Sequence, residues 1–245
     1  MPSRLKVLGT RSLSTASAVG LLLSTASSAI AGGVTITSYG HSALLINGGG
    51  HSVLLNPFKA VGCAAGLREP RVSVNVILAS SELADEGARV ASGKFLVQPG
   101  SYRIGGLNLE GFAAPHDRIG GRRFGQATLW RWQQGGLNFA HLGGSAATLT
   151  GEDKVLLGRP DVLIIGVGGG AKVYDGAEAA RVVNELNPRL IIPVQYVSGA
   201  TPSDCDQTDV QPFLDAMAGT PVKNVGTTIS LPSNLGDGPV IEVMR

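Results

Sequence analysis

The residues placed to do chemistry in this 245-residue chain stand where apolar runs end. The loop positions are Gly40-His41-Ser42, Asn56-Pro57-Phe58, Ser80 to Gly87, Pro115-His116-Asp117, His141-Leu142-Gly143-Gly144 and Pro193-Val194-Gln195-Tyr196. Such loops are where α/β proteins assemble sites, because a rigid sheet positions chain that is free to vary. His116 beside Asp117 has the makings of a tethered general base; the alternative is that His116 pins the arginine-rich loop at Arg122-Arg123. His141 closes an apolar run ahead of two glycines, a place where imidazoles pack and hydrogen-bond more often than they react. His41 and His51 flank a hairpin, with His51 on its outer, solvated side. Gly166 to Gly170 resembles a phosphate loop, but no Gly-Lys-Ser/Thr follows, so it is not a Walker motif.

The elements that must carry these loops read as β segments first and alternating β and α segments later. Val34–Thr37 alternates, Ala43–Ile46 is a short apolar run, and Ser52–Leu55 follows three glycines as the second arm of a hairpin. Val74–Ala79, Asp161–Ile165 and Leu190–Val194 are nearly continuous apolar runs, the mark of strands covered on both faces. Further strands are predicted at Phe95–Val97, Tyr102–Ile104, Leu107–Phe112, Ala127–Trp132 and Leu137–His141, the last two joined by a Gly135-Gly136 turn. Trp130 and Trp132 alternate on one strand, share a face and belong to the core. Helices are predicted over Gly176–Leu186, stopped by Asn187-Pro188, and over Val210–Ala218. Thr228–Leu231 and Val240–Val243 are read as a closing strand pair. No tandem repeat and no linker divides the chain. Two sheets face to face with helices outside, a four-layer αββα sandwich, is the arrangement this order suggests.

Composition narrows the function classes. Arg4, Lys6 and Arg11, an apolar stretch over 16–23 and Ala29-Ile30-Ala31 read as a secretory signal peptide over residues 1–31, leaving one domain over 32–245. The apolar stretch is far shorter than the roughly 20 residues of a membrane span. Without the leader, 17 basic residues face 18 acidic ones, a net charge of −1. No basic stripe survives, which excludes nucleic acid as a partner. Thirty-five glycines, about twice the usual share, imply many tight turns. Cys63 and Cys205 are either a disulfide of an oxidising compartment or two free thiols.

The phrases "ITSYGHSALLI…VLLNPF", "VILASSELADEG", "HDRIGGRRFG", "FAHLGGSA", "DVLIIGVGGG" and "NPRLIIPVQY", in that order and spacing, resemble the metallo-β-lactamase superfamily. Within it they are similar to the branch of ascorbate-phosphate-lactonase-like hydrolases, and "HDRIGGRRFG" and "HLGG" to a cyanobacterial and plastid subgroup. The resemblance runs from Val34 to about Leu231. It implies a dinuclear zinc site held by imidazoles and carboxylates, with an open position for the attacking water. Carried over position by position, the ligand loop's three histidines fall on Ser81, Leu83 and Glu86, and its aspartate on Asp85. The later histidine falls on His116, the bridging aspartate on Gly144 and the final histidine on Gln195. The aspartate usual before Pro-Phe is Asn56, and the His41 position supports the site without ligating. Asp85 and His116 alone keep the family's ligand. At tenfold per lost ligand, five substitutions cost on the order of 7 kcal/mol of metal affinity. No cofactor is therefore expected.

Within that frame, Asp85, Glu86 and Gln195 offer oxygens to one divalent cation, and Asp85, Glu86 and His116 are the residual metal set. Alternatively Asp85 caps a helix that begins near Glu86. Arg118, Arg122 and Arg123, with Gln195 and His141, line a mouth suited to a small anionic ligand, or the arginines are solvated loop charge. The resemblance brings the loops of Cys63 and Cys205 to the site's border, so pairing is expected; it closes about 140 residues, worth about 5 kcal/mol by the chain-entropy account. The implied function is an exported accessory or ligand-binding protein of the periplasm, extracellular space or thylakoid lumen. The alternative is a hydrolase of a small ester, lactone or phosphoester with Asp85 and His116 in catalysis, and a third is an assembly factor that meets a protein partner.

Overall fold

The computed structural model describes residues 1–3 and 32–245; the expected leader lies almost wholly outside them. The strands are β1 (Val34–Ser38), β2 (Leu44–Gly48), β3 (His51–Leu55), β4 (Ser73–Leu78), β5 (Ser92–Leu96), β6 (Gly100–Ile104), β7 (Leu107–Pro115), β8 (Gln126–Gln134) and β9 (Leu137–His141). Helix α1 (Gly151–Leu157), β10 (Val162–Gly166), α2 (Gly176–Leu186), β11 (Leu190–Val194), α3 (Gln211–Ala216), β12 (Val222–Asn224), β13 (Thr228–Leu231) and β14 (Val240–Val243) follow. They form two mixed sheets, ordered β13-β1-β2-β3-β4-β5 and β12-β14-β11-β10-β9-β8-β7-β6. In the first sheet β1 to β3 run antiparallel and β4 and β5 continue parallel.

Alternation decides which side chains meet. Ile36, Leu44, Ile46, Val53 and Leu55 of the first sheet pack against Trp130, Trp132, Phe139, Ile164 and Ile192 of the second. The intervening residues Leu129, Ala140, Leu163, Ile165 and Ile191 point the other way and pack with Ala179, Val183 and Leu186 of α2 and Phe213 of α3. Strands β10 and β11 are buried at every residue because they are covered on both faces. The parallel pairs β9–β10, β10–β11 and β11–β14 each need a crossover, and α1, α2 and α3 supply them.

The two sheets are also joined by polar contacts. Trp130 donates its indole N–H across to the Ala79 carbonyl at 2.9 Å, just beyond β4. The buried amide of Gln134 donates to the Ile46, Gly48 and His51 carbonyls at 3.0–3.2 Å. Helix α2 starts with a capping box between Asp175 and Glu178 and ends on Asn187 in the left-handed region. Cys63 and Cys205 form a disulfide.

Three expectations need correction. The closing pair is not a pair: β13 joins β1 in the first sheet, while β14 lies between β11 and β12 in the second. Helix α1 and strand β12 were missed, because α1 buries only Leu157 and β12 is exposed throughout, so neither carries an apolar period. Asp85 caps no helix; Glu86 N–H and Gly87 N–H both return to the Leu83 carbonyl, which makes a turn. A Trp130→Phe substitution keeps an aromatic side chain of smaller volume and leaves the buried Ala79 carbonyl without its indole donor. It is expected to lower stability by about 1–3 kcal/mol, read as a lower urea midpoint with an unchanged slope.

Candidate functional site

Six loops at one end of the two sheets converge on the Glu86 carboxylate, which is fully buried. An isolated charge there would be prohibitive, so its partners decide whether the arrangement stands. Ser81 donates its hydroxyl to Oε1 at 2.6 Å. Gln195, at the end of β11, donates its amide to Oε2 at 2.9 Å. His116 Nε2 lies 2.8 Å from Oε1, close but off the line of a good hydrogen bond. Burial pushes the Glu86 carboxyl up; His116, the Lys172 charge and Ser81 outweigh it and hold the pKa at about 2.

The remaining loops are shaped around this group. Gly144 sits with φ +74°, and a Cβ there would fall 2.5 Å from Ser80 Oγ, 2.6 Å from Glu86 Oε2 and 2.9 Å from Glu86 Cδ. The Glu86 carboxylate thus takes the room that a side chain at 144 would need. The Gly144 N–H donates to Gln195 Oε1 at 2.7 Å, which uses the other end of the same amide. Asn56 and Ser80 exchange two 2.8 Å hydrogen bonds beneath the site. His41, Asn56 and Gln195 all adopt positive φ, at 51°, 38° and 51°, a conformation that costs a non-glycine residue about 1–2 kcal/mol. Strain of that kind gathers at built sites.

Asp85 lies alongside, and both its oxygens are 2.7–2.8 Å from the Lys172 ammonium. Lys172 belongs to the extension of the glycine-rich loop. No motif announced it; the one signal was a lone lysine two residues past Gly170. His141 is fully buried, and neither ring nitrogen has a hydrogen-bond partner among the described residues. Burial lowers its pKa to about 4, against the opposing pull of the Glu86 charge. His41 is in the same position, with burial lowering its pKa and the Asp85 and Glu86 charges opposing.

Two expected roles change. Asp117 does not tether His116 as a base: its carboxylate accepts from the N–H groups of Ile119, Gly121, Arg123 and Phe124 at 2.9–3.0 Å. Asp117, not His116, therefore pins the arginine-rich loop. Burial opposes ionisation of Asp117, but these N–H donors hold its pKa below the usual value. Arg118 is not free for an anion, because its guanidinium donates to Glu178, to the Gly170 carbonyl at 2.6 Å and to the Val173 carbonyl at 2.8 Å. Arg122 and Arg123 remain exposed on the loop, with Arg123 4.9 Å above the Phe124 ring. The residues brought together are thus Glu86, His116 and Gln195, with Asp85 beside them and His141 beneath.

A zinc pair does not fit these residues. Ser81 and Gln195 offer neither imidazole nor carboxylate, Asp85 is engaged by Lys172, and the space at Gly144 holds the Glu86 carboxylate. Among the described residues, no group of three or more His, Cys, Asp and Glu side chains is placed to hold a metal ion. What the arrangement can do is keep one buried negative charge neutralised and the six loops locked together.

Two outcomes are expected. Gly144→Asp should cost about 2–4 kcal/mol by overpacking, and combining it with Glu86→Ala should recover about 1–3 kcal/mol of the summed losses in a double-mutant cycle. Stability should fall with acid. His141, held at about 4 against 6.5 unfolded, contributes above pH 6.5 and loses that contribution as pH falls through its folded pKa. Glu86, held at about 2 against 4.5, contributes above pH 4.5 and loses it on the way to pH 2. Denaturant midpoints measured across this range should show both limbs, and Glu86→Gln should remove the lower one.

Comparison with known proteins supports the fold. A family model described as the β-lactamase superfamily domain matches residues 35–195. A metallo-β-lactamase superfamily protein from Thermotoga maritima is 22% identical and superposes with a TM-score of 0.67, covering 86% of this chain and 100% of its own. The metallo-β-lactamase fold protein YhfI from Bacillus subtilis is 11% identical, with a TM-score of 0.56 over 86% of this chain and 96% of its own. Igni18, a metallo hydrolase from the archaeon Ignicoccus hospitalis, is 16% identical, with a TM-score of 0.53 over 76% and 91%. At these identities the likeness speaks for the fold alone. No curated protein sequence matches. With the domain matched across most of the chain and its two-sheet sandwich in place, this protein belongs to the metallo-β-lactamase superfamily.

Proposed function

We propose that this protein is an exported, non-catalytic ligand-binding or accessory member of the superfamily, in the ascorbate-phosphate-lactonase-like branch, whose dinuclear centre has been replaced by a hydrogen-bonded carboxylate. The observation that carries the reading is the Glu86 oxygen 2.6 Å from where a Cβ of residue 144 would stand. A bridging aspartate and the Glu86 carboxylate compete for one space, and this chain keeps the carboxylate. The Asp85–Lys172 pair supports the same reading, because the retained ligand is already neutralised by an ammonium. Export is supported by the basic start, the Ala29-Ile30-Ala31 segment and the Cys63–Cys205 bond. The exposed Arg122 and Arg123 beside the site favour an anionic partner.

The competing reading, a hydrolase working with one cation on Asp85, Glu86 and His116, requires Lys172 to leave Asp85. Metal analysis of natively purified protein and a turnover panel of esters, lactones and phosphoesters separate the two. The proposal expects transition metal well below one ion per chain and no difference between the parent and the Asp85→Ala and His116→Ala variants. One or two bound ions per chain, or turnover lost in those variants, overturns it.

A further inference from the structure

We infer that the Cys63–Cys205 disulfide is a thiol-exchange site whose reduction releases Lys172 from Asp85. The bond ties the loop after β3 to the loop after β11, and both cysteines are partly accessible. Next to it stands Asp206. Its Oδ2 accepts the Ala171 N–H at 2.8 Å, and its Oδ1 lies 4.0 Å from Cys63 Sγ. Gly170, with φ +77°, lets the carboxylate approach so closely that a Cβ there would lie 2.5–2.6 Å from it. Two residues beyond Gly170 is Lys172, 13% exposed and bound to both Asp85 oxygens. A continuous path therefore runs from the bond through Asp206 and the Ala171 amide to the ion pair beside Glu86.

On the far side of Asp206 the chain stays anchored, because Thr208 N–H donates to the Gly168 carbonyl at 2.7 Å. Between Val197 and Thr208 the disulfide is the one covalent hold on the loop. Without it Asp206 is fixed from one side only. The co-reactant is a dithiol. Its thiolate attacks one sulfur and the Cys63–Cys205 bond breaks to leave a mixed disulfide and one thiolate. Its second thiol then displaces the other cysteine. Two electrons and two protons end on Cys63 and Cys205, and the reductant leaves as a disulfide. The inference stands apart from the proposed absence of catalysis, since it concerns the loop that holds Lys172 whatever the site does.

The test is amine labelling of the purified full chain, oxidised and after a dithiol reductant, read by peptide mass spectrometry. Lys172 modification is expected to rise about fivefold on reduction, as loss of one hydrogen bond holding the loop closed would give. Lys94, Lys154 and Lys223 should stay unchanged. Asp206→Ala, with the disulfide intact, removes the acceptor of the Ala171 N–H and is expected to reproduce the rise. Cys63→Ser/Cys205→Ser should show the rise without reductant; should it fail to fold, Asp206→Ala decides alone. Unchanged Lys172 labelling in the reduced protein or in Asp206→Ala overturns the inference, and so does a rise shared by all lysines, which would mean global unfolding.

Discussion

A carboxylate with no exposed surface, set where six loops meet, constrains everything around it. Glu86 persists as an ion in the interior because Ser81, Gln195 and His116 surround it and Lys172 adds a positive charge nearby. Removing one partner of such a set costs far more than the set contributes as a whole. The residues around this carboxylate are therefore coupled to one another. Glycine at 144 makes room for the carboxylate, the amide at 195 reaches both Glu86 and the Gly144 N–H, and serine at 81 supplies a donor. On the function proposed above, one buried charge, satisfied by neighbours, takes the place of two ions.

The surrounding frame has kept the form of a site. His41, Asn56 and Gln195 hold left-handed backbone at strand ends, and the Gln195 N–H closes on the His41 carbonyl at 2.9 Å. The charged side chains nearby are sorted into closed pairs: Asp85 with Lys172, Arg118 with Glu178, and Asp117 with four backbone amides. Glu178 serves twice, since it also completes the capping box that starts α2. The arginine-rich loop, the glycine-rich loop and the first turn of α2 are thereby held as one surface around the carboxylate.

The apolar runs made much of this fold legible. Strands such as β10 and β11 are buried on both faces and read as unbroken hydrophobic stretches, and α2 carries its own start and stop. Strand partnership was not legible, because β13 and β14 look alike in sequence and part only in which sheet receives them. The resemblance supplied expected ligand positions one by one. The contacts those positions make in the fold it did not supply. Glu86 and Gln195 are 109 residues apart and Lys172 and Asp85 are 87 apart, and no local pattern encodes a contact between an amide and a carboxylate at that range. For a similar reason Asp117 took the loop-pinning role that His116 was a candidate for: which of two adjacent buried polar residues meets the loop's amides is set by the path of the chain, not by residue type.

On the proposed function, the Glu86 carboxylate and not a cation fills the middle of the site. Anomalous X-ray diffraction at the zinc absorption edge, from crystals grown with excess zinc, addresses this directly. No anomalous peak is expected among Glu86, His116, Asp85 and Gln195, with the carboxylate resting against Gly144. A peak at bonding distance from His116 and Glu86, with Lys172 swung away from Asp85, would contradict it.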